Sequence, residues 1–126
     1  MKNLVILYAG YKSDYCSKEL LENITCKELS LSWAFNIENF SGLSIYIDSD
    51  EKKNQFLELI NKNFPEKLEL VKFCVNSTWK VKDLICQIKV DSENFDNIVY
   101  GHVDCPFYNL EITKKLLELH TESMAE

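Results

Sequence analysis

Apolar residues are grouped into four runs along this chain, at residues 4–8, 43–47, 68–75 and 97–103, which are rich in Val, Ile, Leu and aromatic side chains. Runs of this length are typical of strands that are buried on both faces of a sheet. The pattern therefore predicts four strands, and buried strands of this kind are usually parallel.

The segments between these runs show helical spacing. The first predicted helix covers residues 28–40 and stops at 41–42, and the second starts from a cap within 48–50 and ends at 64–65. Two later helices are predicted to bury the apolar residues Val81, Leu84, Ile85 and Ile88, and Ile112, Leu116, Leu117 and Leu119.

Regular alternation of strands and helices predicts an α/β fold with three layers, α/β/α, around a mainly parallel, Rossmann-like sheet. The 126 residues suit a single domain that is long enough to bury a core. Residues 119–126 run off the last predicted helix without a terminal signature. We therefore expect residues 1–126 to be the N-terminal part of a longer protein.

The charge balance limits the possible partners. The chain has 20 acidic and 14 basic residues, a net charge of −6, and every basic residue is a lysine. The absence of a basic stripe argues against nucleic acid as a partner. Because the bidentate guanidinium fork is missing, an anion site must use lysine, backbone amides or a metal.

The cysteines favour a reducing compartment. They are odd in number and have no Cys-x-x-Cys spacing, which argues against a disulfide framework or a zinc site. No signal-peptide pattern is present, and no apolar stretch approaches the roughly 20 residues that span a bilayer. We expect a cytoplasmic protein with no membrane partner.

Asp104 is the strongest chemical candidate. Gly101 permits close backbone approach and Pro106 cannot continue a central strand, so the fourth strand should end near Asp104. Ligands bind at the carboxyl ends of strands in open α/β sheets, where a carboxylate could hold Mg²⁺ against phosphate oxygens. The simpler alternative is an aspartate that caps the next helix or starts a turn. His102 would share a strand face with Asp104.

Two stretches carry a resemblance to a known family. Asp104-Cys105-Pro106-Phe107, with the helix that follows, resembles a segment of cytidylyltransferase-like nucleotidyltransferases, which have the nucleotide-diphospho-sugar transferase fold known as GT-A. The opening stretch Tyr8-Ala9-Gly10-Tyr11-Lys12-Ser13, and the later Lys18-Glu19-Leu20-Leu21, are similar to the first strand and nucleotide-binding loop of that family.

The resemblance implies a set of site residues. It implies that Asp104 binds the catalytic divalent metal, with Mg²⁺ as the expected ion, and that Lys18 is a catalytic residue that contacts the nucleotide phosphates. The nucleotide-binding residues that it implies are Ala9, Gly10, Tyr11, Lys12, Ser13, Lys18, Asn76, Ser77 and Thr78.

This sequence also departs from the family pattern. The opening loop lacks the second glycine and the arginine of the family, and Asp14 near that position would repel a triphosphate. One hypothesis is an enzyme, degenerate in its motifs, that joins CTP or another nucleoside triphosphate to a sugar. The alternative is a non-catalytic domain that binds a nucleotide or a partner. It would precede a downstream enzyme, as nucleotidyltransferase-like domains precede radical-SAM enzymes with a SPASM extension.

The fourth strand raises a further expectation. If residues 1–126 fold alone, that strand would form an exposed sheet edge, and an open apolar edge invites pairing with another strand. We therefore predict a homodimer or another strand-mediated contact through this edge.

Overall fold

The computed structural model describes residues 1–10, 19–21, 24–104 and 109–125. The strands and helices in this part of the chain, in order, are β1 (Asn3–Ala9), β2 (Glu19–Leu21), β3 (Ile24–Thr25), α1 (Cys26–Phe35), β4 (Phe40–Ile47), α2 (Asp50–Asn63), a 3-10 helix (Pro65–Leu70), β5 (Val71–Val75), α3 (Val81–Asp91), a 3-10 turn (Ser92–Asn94), β6 (Asn97–His102) and α4 (Leu110–Ala125).

Four strands form one parallel sheet in the order β5-β4-β1-β6. The predicted α/β fold with a parallel, Rossmann-like sheet is therefore confirmed. The short strands β2 and β3 pair antiparallel with each other, and the sequence pattern did not predict them.

Helices cover both faces of this sheet. On one face, Val5 and Leu7 of β1 belong to the large core to which α1, α2 and α4 contribute. On the other face, Leu4 and Ile6 form a smaller core against which α3 packs Leu84 and Ile88. The chain steps from β1 to β4 and β5 in one direction and then crosses back to β6. Ligands bind outside the strand ends at such a reversal in open α/β sheets.

The first helix is shorter than predicted. It ends at Phe35, and Asn39 then adopts a φ of 58°, a left-handed conformation that asparagine tolerates better than most residues. The chain turns there and enters β4 at Phe40. The predicted stop at Ser41-Gly42 is wrong, because both residues lie inside the strand.

Other predicted details also differ. The third predicted strand, at residues 68–75, corresponds to β5, which starts only at Val71. The residues before it, Pro65–Leu70, form a 3-10 helix. Of the four α4 residues predicted to be buried, Leu117 packs on the core and the other three are exposed. Ile112, Leu116 and Leu119 are 60%, 62% and 56% exposed. On α3, Val81 and Ile85 are exposed as well.

A buried carboxylate fastens the end of α3 to the sheet. Asp91, whose side chain is 2% exposed, pairs with Lys72 of β5 at 2.7 Å and accepts a hydrogen bond from Tyr46 Oη of β4 at 2.6 Å. Gln87 Nε2 donates to the same carboxylate at 3.0 Å. Burial alone would raise the pKa of Asp91, but the hydrogen bonds from Lys72, Tyr46 and Gln87 outweigh it and hold that pKa below its usual value.

This network makes stability depend on pH. Because the pKa of Asp91 is lower in the folded chain than in the unfolded chain, its ionisation stabilises the fold above about pH 4. That contribution is lost as the pH falls through the lowered folded pKa. In urea titrations between pH 7 and pH 3, we expect the free energy of unfolding to fall more steeply for the wild type than for Asp91→Asn. Equal pH dependence would contradict this assignment.

The hydroxyl of Tyr46 can be tested separately. Tyr46→Phe keeps the ring and removes one hydrogen bond to a charged group, so it should lower the free energy of unfolding at pH 7 by about 1.5–3 kcal/mol.

Candidate functional site

The carboxyl ends of the four parallel strands meet along one edge of the sheet. Gly10 follows β1, Asp48 follows β4, Asn76 follows β5, and Asp104 lies two residues beyond β6. Three of these four residues were predicted as site residues, whereas Asp48 was predicted only as part of a helix cap. The fold thus gathers them at one edge from segments far apart in sequence.

Gly10 is required by close packing at this edge. A Cβ at Gly10 would lie 2.7 Å from Cδ1 of Trp79 and 2.7 Å from Oη of Tyr8, closer than these atoms can approach. Trp79 is held in place because its Nε1 donates to the carbonyl of Ile47 at 2.7 Å. The indole therefore fills the space between the end of β1 and the turn after β5.

A side chain stabilises the turn after β5. Oδ1 of Asn76 accepts a hydrogen bond from the backbone N–H of Thr78 at 2.9 Å, as in an Asx-turn. The N-terminal cap of α3 lies further along, at Lys80, whose backbone N–H donates to Asp83 at 3.0 Å. An open groove of about 790 Å³ runs between β5 and α3, and Asn76, Ser77 and Trp79 are among its lining residues.

Aromatic rings form a continuous row across the α3 face of this edge. The row consists of successive ring pairs with centroid separations of 5.1 Å for Tyr100 and His102, 5.3 Å for His102 and Tyr8, 6.4 Å for Tyr8 and Trp79, and 5.1 Å for Trp79 and Tyr46. The sequence pattern did not predict this row. Only Tyr100 and His102, two apart in one strand, could be assigned a shared face from the sequence, whereas the strand register brings Tyr8 beside Tyr46 and His102.

Lys52 lies at this edge, where two contacts hold its ammonium group. Its Nζ lies 2.9 Å from Oδ1 of Asp48 and donates to the carbonyl of Ala9 at 3.2 Å. The predicted cap within residues 48–50 is confirmed, because Ser49 Oγ accepts from the backbone N–H of Lys52 at 3.3 Å. Burial raises the pKa of Tyr8, and the negative charge of Asp48 raises it further.

Asp104 lies in the turn after β6. Burial raises the pKa of the Cys26 thiol, and the negative charge of Asp104 adds to that effect. His102 instead contacts the rings of Tyr8 and Tyr100. The predicted shared strand face assumed that Asp104 lies in the strand, but β6 ends at His102 and Asp104 lies in the turn that follows.

The remaining predicted residues divide into two groups. At the described edge lie Ala9, Gly10, Asn76, Ser77, Thr78 and Asp104. Tyr11, Lys12, Ser13 and Lys18 lie outside the described residues. No group of three or more His, Cys, Asp or Glu residues suited to a metal ion occurs in residues 1–10, 19–21, 24–104 and 109–125. The nucleotide and metal roles of all these residues stay predictions.

Comparisons with known proteins define the fold class. No family model and no curated sequence matches this chain. The architecture is nevertheless that of a Rossmann-like α/β domain. It is similar to the structure of a cytidylyltransferase from Leptospira borgpetersenii serovar Hardjo-bovis (strain JB197), with a TM-score of 0.63 and 16% sequence identity.

The alignment covers 94% of this chain and 47% of the Leptospira chain, so this chain spans about half the length of that protein. At such low identity the likeness shows the fold alone. It confirms the predicted cytidylyltransferase-like fold, whereas the finer GT-A assignment and the radical-SAM context stay predictions. Among the described helices, none combines the length and apolar character needed to cross a membrane.

The packing around Gly10 gives a test of this edge. Gly10→Ala forces a methyl group against the rigid indole of Trp79 and should lower the free energy of unfolding by about 1–3 kcal/mol. The matched control is Gly42→Ala, whose Cβ would lie 3.1 Å from the ring of half-buried Phe95 and should cost less. Urea unfolding of both variants measures the difference, and equal losses would contradict the close packing at Gly10.

Proposed function

We propose that the carboxyl edge of the sheet binds a nucleoside triphosphate, with CTP as the first candidate, and that the chain is a nucleotidyltransferase-like domain that acts with Mg²⁺ on a sugar. The observation that carries this proposal is the position of Asp104 beside the β1–β6 reversal, in a fold shared with a cytidylyltransferase. Strand ends at such a reversal are the usual ligand site of open α/β sheets.

The groove beside β5 supports a site for the base. Its volume of about 790 Å³ lies within the range of small-molecule pockets, and it offers the amide of Asn76 and the hydroxyl of Ser77. An amide can both donate and accept hydrogen bonds, as recognition of a base edge requires. Gly10 has no side chain, so its backbone would lie nearer the phosphates. Lys18 would contact the same phosphates, as the resemblance implies.

Asp104 fits a metal ion that arrives with its nucleotide. Mg²⁺ in proteins is usually held by one or two carboxylates together with substrate phosphates. Asp104 is the carboxylate proposed for the metal because it follows β6 beside the strand reversal. The carboxylate of Asp48 is 8% exposed and pairs with Lys52. When bound, Mg²⁺ would neutralise phosphate charge and so favour phosphoryl transfer. The residues of the chain would position the triphosphate and orient its base.

The electrostatics of the edge favour slow turnover. Lys52 is engaged by Asp48 and by the carbonyl of Ala9, and Lys27 donates to Gln55 Oε1 in a largely buried position. The chain has no arginine to stabilise a developing negative charge. Binding should therefore depend strongly on the metal, and transfer should be weak compared with an enzyme that retains arginines.

A thermal-shift panel of CTP, UTP, GTP and ATP, each with and without Mg²⁺, tests this proposal. We expect stabilisation by CTP only when Mg²⁺ is present, of about 2 kcal/mol at roughly thirty times the Kd. Asp104→Asn should abolish the shift, whereas Glu93→Gln, on an exposed turn after α3, should keep it. Pyrophosphate release with added sugar then measures transfer.

Two results would overturn the proposal. Stabilisation that does not need Mg²⁺ would contradict the proposal that Asp104 binds the metal. The absence of any shift would favour the alternative of a domain that binds a partner without turnover.

A further inference from the structure

The hydroxyl group of Tyr8 lies at the carboxyl end of β1, beside the backbone that is proposed to face the phosphates. A Cβ at Gly10 would lie 2.7 Å from Oη and 2.8 Å from Cζ of Tyr8. The tip of the ring therefore reaches forward from its own position in the strand to the residue that follows β1. Tyr8 is also partly exposed, whereas Leu7 before it is fully buried.

Neighbouring rings and strands hold this side chain in place. The ring of Tyr8 contacts His102 at a centroid distance of 5.3 Å and Trp79 at 6.4 Å. Trp79 is itself held by the hydrogen bond from its Nε1 to the carbonyl of Ile47. The backbone of Tyr8 pairs with β4 on one side and with β6 on the other. A hydrogen-bond donor held in this way loses little conformational freedom when it meets a ligand.

The described carboxylate whose charge reaches this hydroxyl is already balanced by a lysine. Asp48 is that carboxylate, and Lys52 Nζ lies 2.9 Å from its Oδ1. The same ammonium group donates to the carbonyl of Ala9 at 3.2 Å, so it lies beside the end of β1. Because burial and the charge of Asp48 raise the pKa of Tyr8, its hydroxyl keeps its proton at neutral pH and can donate a hydrogen bond.

We propose that Tyr8 is a phosphate-binding residue of this edge, whose Oη donates a hydrogen bond to a phosphate oxygen of the bound nucleoside triphosphate. This assignment rests on the nucleotide site proposed above and adds a residue to it. A hydroxyl donor suits this edge because the chain has no arginine to bind phosphate in a bidentate manner. Tyrosine hydroxyls are among the side-chain groups that contact phosphate oxygens in proteins.

Tyr8→Phe tests this assignment, because it keeps the ring in the aromatic row and removes only the hydroxyl. Isothermal titration with CTP and Mg²⁺ should give a Kd about tenfold or more higher than that of the wild type, since a hydrogen bond to a charged group is lost. At saturating CTP, phosphorus NMR should also show a changed signal for at least one phosphate.

The matched control is Tyr100→Phe, which removes a hydroxyl from the same aromatic row. Tyr100 pairs with Ile6, two residues before Tyr8 along β1, so it lies further from the carboxyl edge. We expect its Kd for CTP and its phosphorus spectrum to match those of the wild type. Circular dichroism should show the same fold for the wild type and both variants, because each variant keeps its ring.

The possible results separate this assignment from the proposed function. If the wild type binds CTP and Tyr8→Phe has the same Kd, the assignment is overturned and the proposed function stands. Equal losses in both variants, or a higher Kd with unchanged phosphate signals, would also overturn it, because the hydroxyl would then act on the fold. A wild-type chain that binds none of the four nucleotides with Mg²⁺ would overturn the proposed function and this assignment together.

Discussion

The parallel pairing of β1 between β4 and β6 is the constraint on which the rest of the structure depends. At the amino end, a buried hydrogen bond of 3.0 Å joins Asn97 to Asn3, whose side chain also donates to the carbonyl of Glu38. At the carboxyl end, the N–H of Val103 donates to the carbonyl of Tyr8 at 3.0 Å. Because buried polar groups are costly unless they pair, these contacts disfavour a shifted register. The register in turn sets where Gly10 and Asp104 emerge.

A chain of contacts connects the far end of α3 with this edge. Asp91 holds the hydroxyl of Tyr46, the ring of Tyr46 stacks on Trp79 at an interplanar angle of 17°, and Trp79 packs against Gly10. Each contact positions the next side chain, so one connected set of contacts runs from α3 to the backbone at Gly10. Preorganised donors and surfaces bind ligands at a lower entropic cost.

The same edge also explains why the proposed chemistry relies on a metal. Its two described carboxylates differ in their surroundings, since Asp48 is paired with Lys52 while Asp104 lies in a turn near Cys26. A lysine that neutralises a carboxylate contributes less attraction to a phosphate. A divalent cation held between a carboxylate and the substrate phosphates would supply positive charge there.

The sequence by itself determined the α/β class and the four parallel strands, because a strand buried on both faces must be apolar throughout, as residues 4–8 show. It also predicted a helix cap within residues 48–50, which the structure assigns to Ser49. Only the tertiary structure decided which apolar faces of the helices are covered, since periodicity gives Leu116 and Leu117 equal claims although only Leu117 reaches the core. The role of Trp79 was likewise decided by packing, because its partners come from β1 and β4. Such contacts depend on strand order, and local sequence does not encode strand order.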